Sequence, residues 1–124
     1  MIDFQNGSFV KLREVSPQAF ESLLTPLFVN GEQILSAYQS IRDGVVLTTK
    51  RIFVINVQGI TGKKKDISSL PYSKIQAFSV ETAGVLDLDS ELEIWFSGLG
   101  KVKLEFTGKT DITRICQTIS QFVL

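Results

Sequence analysis

From Glu32 to Phe106 apolar and polar residues alternate with a period of two, in short runs separated by turn residues. Such alternation marks strands whose two faces meet different surroundings. The runs are "EQILSAYQSI", "VVLTT", "RIFVINV", "KKKDI", "QAFSVET", "ELEIWF" and "KVKLEF", which makes seven strands. Arg42-Asp43-Gly44, Gln58 to Gly62 and Ser97 to Gly100 supply tight turns, Pro71 opens a turn or a single helical turn, and 83–89 reads as a loop. In "RIFVINV", Ile52 and Val54 share one face while Phe53, Ile55 and Val57 share the other, so the pattern predicts cover on both sides. In the last hairpin Leu92, Ile94 and Phe96 face the core with Val102, Leu104 and Phe106. Parity and opposite charge then set Glu93 across from Lys103.

The flanks change period. "SPQAFESLLTPLF" predicts a helix over 16–28, with Ser16 as N-cap, Pro17 in the first turn and Phe20, Leu23, Leu24 and Leu27 on one stripe; Pro26 ends or kinks it. "DITRICQTISQFVL" predicts a second helix over 111–123, capped by Asp111 and burying Ile112, Ile115, Cys116, Ile119, Phe122 and Val123. Residues 1–15 show no clear period and read as a loose arm. The expectation is one mainly β domain over 16–124, a bent antiparallel sheet or partly open barrel capped by the final helix.

Four stretches, "GEQILSAYQSIRD", "LTTKRIFVINVQGITGKKK", "SSLPYSKIQAFSVETAG" and "DLDSELEIWFSG", occur in an order that closely resembles the bacterial PH-domain-like family. The resemblance covers residues 31 to 98 and extends more weakly to the closing "QFVL". Before the "QG" turn this chain has Asn56-Val57 where an acidic residue is expected in that family. The resemblance implies a pleckstrin-homology fold, no enzymatic activity, and assembly into cyclic homo-oligomers that serve as scaffold or protein-interaction modules.

Composition narrows the function further. With 124 residues the chain has room for one sizeable core. Thirteen Lys and Arg balance thirteen Asp and Glu, so the surplus of positive charge that nucleic-acid binding needs is missing. There is no histidine, which removes the usual proton-transfer side chain, the Ser-His-Asp and Cys-His constellations and every His-containing zinc site. The lone Cys116 has no intramolecular disulfide partner. The start lacks an apolar run of signal-peptide length and no later run reaches bilayer-spanning length, so a cytoplasmic protein without a cofactor is expected.

Some charged and aromatic residues remain as candidates. Lys63, Lys64 and Lys65, with Lys50 and Arg51, suggest a contact for an anionic lipid headgroup or another phosphorylated ligand. Edge-protecting charges on a strand are the simpler account of Lys63–Lys65, since alternate side chains point to opposite faces and cannot converge on one ligand. Gly59-x-x-Gly62 has neither the spacing of a P-loop nor the helices of a nucleic-acid clamp, and reads as positive-φ turn geometry. Asp87, Asp89, Glu91 and Glu93 alternate along one side. Counted from Asp87, an EF-hand would need Gly and Glu where Leu92 and Gly98 stand, so a solvated or subunit-facing acidic stripe is the default. Trp95 points outward among charges, either as an interface anchor or as cover for its own sheet. One expectation joins these: with apolar residues on both faces of 51–57 and only one core, copies cover one another, and the acidic stripe meets Lys63–Lys65 of a neighbour.

Overall fold

The computed structural model describes residues 1–124 and contains eight strands, not seven. The additional one is β1 (Ser8–Val15), within the segment expected to be a loose arm. Its period is hidden by a bulge. Phe9 and Leu12 are both buried, three residues apart, while Val10 and Lys11 between them are both exposed, and Lys11 has a φ of 57°. A bulge inserts one residue into the ladder and so breaks the alternation that would announce the strand.

Strands β2 (Ile34–Gln39), β3 (Gly44–Thr48), β4 (Arg51–Gln58) and β5 (Lys64–Pro71) form an antiparallel meander. A 3-10 turn at Tyr72–Lys74 leads into β6 (Ile75–Glu81), β7 (Ser90–Phe96) and β8 (Gly100–Phe106), a second meander. The sheet runs β5-β4-β3-β2-β1-β8-β7-β6, with β1 antiparallel to β2 and parallel to β8. Glu93 lies opposite Lys103, as parity and charge predict. Bending at β1 brings the two halves face to face over a core of 19 buried residues that includes Leu12, Tyr38, Ile52, Val54, Ile94 and Leu104.

The predicted first helix is broken into short pieces. A 3-10 turn (Pro17–Phe20) leads into one α-helical turn, α1 (Glu21–Leu24), and then a 3-10 turn (Thr25–Leu27). Ser16 does cap it, its Oγ accepting from the Gln18 N–H at 3.2 Å, and Pro26 lies within the closing turn. Phe20 and Leu24 are buried, Leu23 is half-buried and Leu27 is exposed.

These pieces cover the outer face of the first meander. Phe20 and Leu24 join Ala37, Val46, Phe53 and Ile55 in a second apolar cluster within the same chain. Gly44 makes the contact possible, since a Cβ there would lie 2.4 Å from the Phe20 ring. Strand β4 is therefore apolar on both faces because its own chain buries both. The expectation that a neighbouring copy must cover it is corrected.

The seam between edge strands β5 and β6 is closed at two places. α2 (Ile112–Val123) starts at Asp111, whose Oδ1 accepts from the Arg114 N–H at 3.1 Å; it buries Ile115 and Ile119 and stacks Phe122 on Tyr72, ring centres 4.8 Å apart. Cys116 is half-buried beside that stripe. The first residues close the other place: the buried Ile2 donates its N–H to Ser68 Oγ at 2.9 Å, and Phe4 meets Phe96 edge to face.

The bulged phase of β1 is testable. Leu12→Ala should cost about 3 kcal/mol in a denaturant titration, whereas Val10→Ala should stay within about 0.5 kcal/mol. A loose arm would make both substitutions silent.

Candidate functional site

The five cations singled out in the sequence do not converge. In the β4–β5 hairpin Gln58 pairs with Lys64 and Arg51 with Pro71, so Lys50 and Arg51 lie at one end and Lys63–Lys65 at the other. Seven residues of extended strand separate the ends by about 23 Å. Lys63, Lys64 and Lys65 are exposed, and Lys65 Nζ donates back to Gly62 O at 3.1 Å. Gly59 and Gly62 have φ values of 75° and 68°, the turn geometry read from the sequence.

Arg51 is occupied by structural contacts. Its Nη2 and Nε donate to Glu32 Oε1 and Oε2 at 2.8 and 3.0 Å, Nη2 also reaches Leu27 O at 2.7 Å, and Nη1 donates to Ser69 Oγ at 3.1 Å. The guanidinium lies 4.3 Å from the centre of the Phe53 ring. The Glu32 side chain is fully buried, and its carboxylate also accepts from Thr48 Oγ1 at 2.7 Å and from the Val29 N–H at 3.0 Å. Thr48 Oγ1 in turn accepts from the Lys50 and Arg51 N–H groups, and Thr48 O accepts from Tyr72 Oη at 2.8 Å. Arg51 is thus withdrawn from the anion-contact set, because its donors already hold a buried carboxylate and the chain leading into β2.

This network went unseen in the sequence, where Glu32, Thr48, Arg51 and Tyr72 belong to different runs. A carboxylate at the mouth of an apolar strand was the one available signal. Burial pushes the Glu32 carboxyl up, but the bonds from Arg51, Thr48 and the Val29 N–H outweigh it, and its pKa lies below the ordinary value.

The acidic stripe is largely paired within its own chain. Lys103 bonds Glu91 at 3.2 Å and Lys101 bonds Glu93 at 3.5 Å, diagonally to the directly opposed residues. Lys11 on the β1 bulge reaches Asp89 at 2.6 Å and Glu105 at 3.8 Å. Asp87 Oδ1 accepts from the Asp89 N–H, inside the 82–89 loop. Hydrogen bonding to Glu91 raises the Lys103 pKa, and Asp89 does the same for Lys11. Trp95 is 43% exposed, across from Ala77 and Lys101, with the Lys101 ammonium 5.2 Å from its ring centre.

A hollow of about 430 Å³ lies between the first residues and Asp43, Asn56, Gln58 and Asp66. Its carboxylates are already in use: Asp66 holds the Met1 ammonium at 2.5 Å, Asp43 accepts from the Val57 N–H at 2.9 Å, and Asp3 accepts from Gln5 and Asn6 N–H groups. Lys63, Lys64 and Lys65 beside the β4–β5 turn make no ion pair, and Val85, Leu86 and Leu88 in the 82–89 loop are exposed.

A family model described as "Bacterial PH domain" matches residues 3–123. The chain belongs to the bacterial PH-domain family. It is similar to two Bacillus subtilis proteins. The uncharacterized protein YjqA is 44% identical over 95 residues, 77% of this chain and 76% of that one. The uncharacterized protein YozO is 32% identical over 109 residues, 88% and 90% of the two chains. A crystal structure of a DUF1696 family protein with a pleckstrin-homology domain from Shewanella loihica superposes with a TM-score of 0.82 at 40% identity, covering 93% of this chain and 99% of that one. A PH-domain-containing protein from Exiguobacterium sibiricum shares the fold alone, with a TM-score of 0.71 at 19% identity over 91% of this chain and 62% of that one.

In this bacterial PH domain three of the four stretches that carry the family resemblance meet at the Glu32 network. Glu32 comes from "GEQIL", Thr48 and Arg51 from "LTTKR", and Tyr72 from "SSLPYSKI". Much of the recognisable motif is accordingly a latch that holds the β3–β4 turn, the entry to β2 and the exit from β5 together.

The latch makes a signed pH prediction. A depressed folded pKa adds stability that is fully present above the unfolded value of 4.5 and drains as pH falls through the folded one. Glu32→Gln should cost about 3 kcal/mol near neutrality. The wild type should also lose more stability than the variant between about pH 6 and pH 3 in denaturant titrations. Equal losses would remove the carboxylate from this role.

Proposed function

We propose that this PH domain is a non-enzymatic, cytoplasmic assembly or protein-interaction module whose copies associate into a ring. The observation that carries the reading is a group of aliphatic side chains that the fold does not use. Val85, Leu86 and Leu88 in the 82–89 loop are 93%, 99% and 62% exposed. The β1 bulge turns Val10 outward as well, and the Lys11–Asp89 ion pair ties the bulge to this loop. Exposed aliphatic surface held in place by an ion pair suits a contact between proteins.

Trp95 supplies a second and different surface. It stands near the far end of β7 from that loop, so one copy cannot bring the two together. A contact joining unlike surfaces of successive copies is head-to-tail, and such contacts close into rings when the rotation allows. The acids expected to meet Lys63–Lys65 mostly hold cations of their own chain, so the apolar residues give the contact its strength. A non-enzymatic role fits the absence of histidine and the internal bonding of the carboxylates in the 430 Å³ hollow.

Light scattering after size exclusion tests this directly. The wild type should elute with a mass that is a whole multiple of the single chain. Leu86→Asp with Leu88→Asp, or Trp95→Ala, should return it to the single-chain mass with an unchanged melting temperature. A wild type that stays folded and monomeric at working concentrations would overturn the reading.

A further inference from the structure

Lys11 is the one residue other than glycine with a positive φ, at 57°. A side chain in that left-handed region costs stability, and Gly, Asn or Asp is its usual occupant. A bulge does not need a lysine there. Nor does the ion pair with Asp89 explain the choice through stability. The Lys11 side chain is 67% exposed, and an exposed pair returns little more than the strained backbone takes away. Strain kept at so exposed a position points to a task for the side chain.

The task follows from what Lys11 reaches. Its Nζ lies 2.6 Å from Asp89 Oδ2 and 3.8 Å from Glu105 Oε1, so one ammonium bridges the end of the 82–89 loop to β8. Inside the loop the Asp89 N–H donates to Asp87 Oδ1 at 3.1 Å, and the Gly84 N–H to Asp87 O at 2.7 Å. No other hydrogen bond or ion pair joins residues 82–89 to another element. Val85, Leu86 and Leu88 belong to neither apolar cluster and pack on neither. The Leu88 main chain does lie close over Gly108, where a Cβ would stand 2.9 Å from Leu88 O. That contact steadies one point of the loop. The shape in which the loop presents its three aliphatic side chains depends on the one cation.

We infer that Lys11 is an electrostatic clamp on the 82–89 loop, and that it makes association between copies respond to ionic strength. The second half rests on the reading of this loop as an assembly surface. A contact made only of aliphatic side chains is not weakened by added salt, and some salts strengthen it. A surface prepared by an exposed ion pair behaves in the opposite way. As ions screen Lys11 from Asp89 and Glu105, the loop samples more shapes, and association carries the added cost of ordering it. The strained backbone fits this role. It lifts the lysine out of the ladder at the one place where β1 passes the loop, and the long stem then covers the remaining distance to Asp89.

Lys11→Asn and Lys11→Gly in the full chain test it, because each removes the cation while keeping a residue that accepts the left-handed backbone. Thermolysin, which cuts before aliphatic residues, reads the opening of the loop at Val85, Leu86 and Leu88 well below the melting temperature. At low salt both variants should be cut there about two- to fivefold faster than the wild type. High sodium chloride should erase that difference, and the melting temperature should not fall in either variant. In light scattering the wild-type assembly should come apart as sodium chloride rises, and Lys11→Asn should already be apart at low salt. Three results would each overturn the inference: cleavage unmoved by both variants, a lower melting temperature in both, or a wild-type assembly mass indifferent to salt and to the variants. The second would make Lys11 a structural part of the bulge. A wild type monomeric at every salt would strike the assembly reading and the second half with it, whereas the cleavage rates decide the clamp in either case.

Discussion

Strand β1 is hydrogen-bonded on both sides, and no other ladder joins the four-stranded half of the sheet to the three-stranded half. The two partners make different demands. β2 runs antiparallel to it and β8 parallel, and the register along β8 shifts between Phe9 and Leu12. The bulge at Val10 and Lys11 absorbs that shift and adds local twist, which lets a continuous sheet fold back over itself. Leu12 beyond the bulge and Phe9 before it both enter the core, so the joint is also a packing element. Everything inside the barrel depends on this turn of the sheet. The same bulge aims Val10 outward and presents Lys11 to Asp89, so the fold's joint also shapes its most aliphatic flank.

Where alternation was regular, the sequence disclosed the structure. All seven strands expected between Glu32 and Phe106 are present, the last hairpin has the register that parity and charge demanded, and the terminal helix begins at its acidic cap. The failures share one cause, which is that the deciding contact lay far away along the chain. β1 looked patternless because its phase is set by β8, about a hundred residues later. The first helix looked continuous because its stripe was counted without knowing that Phe20, Leu23 and Leu24 would find the sheet while Leu27 stays exposed. Arg51 looked like a free cation because Glu32, its carboxylate, sits 19 positions earlier.

The candidate surfaces were legible to a lesser degree, for a related reason. Lys63–Lys65 stood out as charge, but Arg42, which reaches Gly59 O in the adjoining turn, comes from another hairpin, and a linear reading grouped the lysines with Lys50 and Arg51 instead. The acidic stripe stood out correctly as a stripe, but cross-strand lysines largely neutralise it. Charge in a sequence shows what a surface contains. Pairing in the structure shows what it still has to offer.

The case for association therefore rests on different ground than the alternation in β4 suggested. A strand apolar on both faces looks the same in sequence whether its second cover is a neighbouring copy or a short helical segment upstream. Here Phe20 and Leu24 provide that cover, and each chain completes both of its apolar clusters alone. A chain that is complete by itself folds before it meets a partner, so association is not a condition of stability as it is for obligate oligomers. If copies associate as proposed, the drive comes from the modest aliphatic surface left on the loops, whose burial competes with the cost of holding copies together. Contacts of that kind form and dissolve with concentration. A module that associates in this way would switch between separate and assembled states while its barrel stays unchanged.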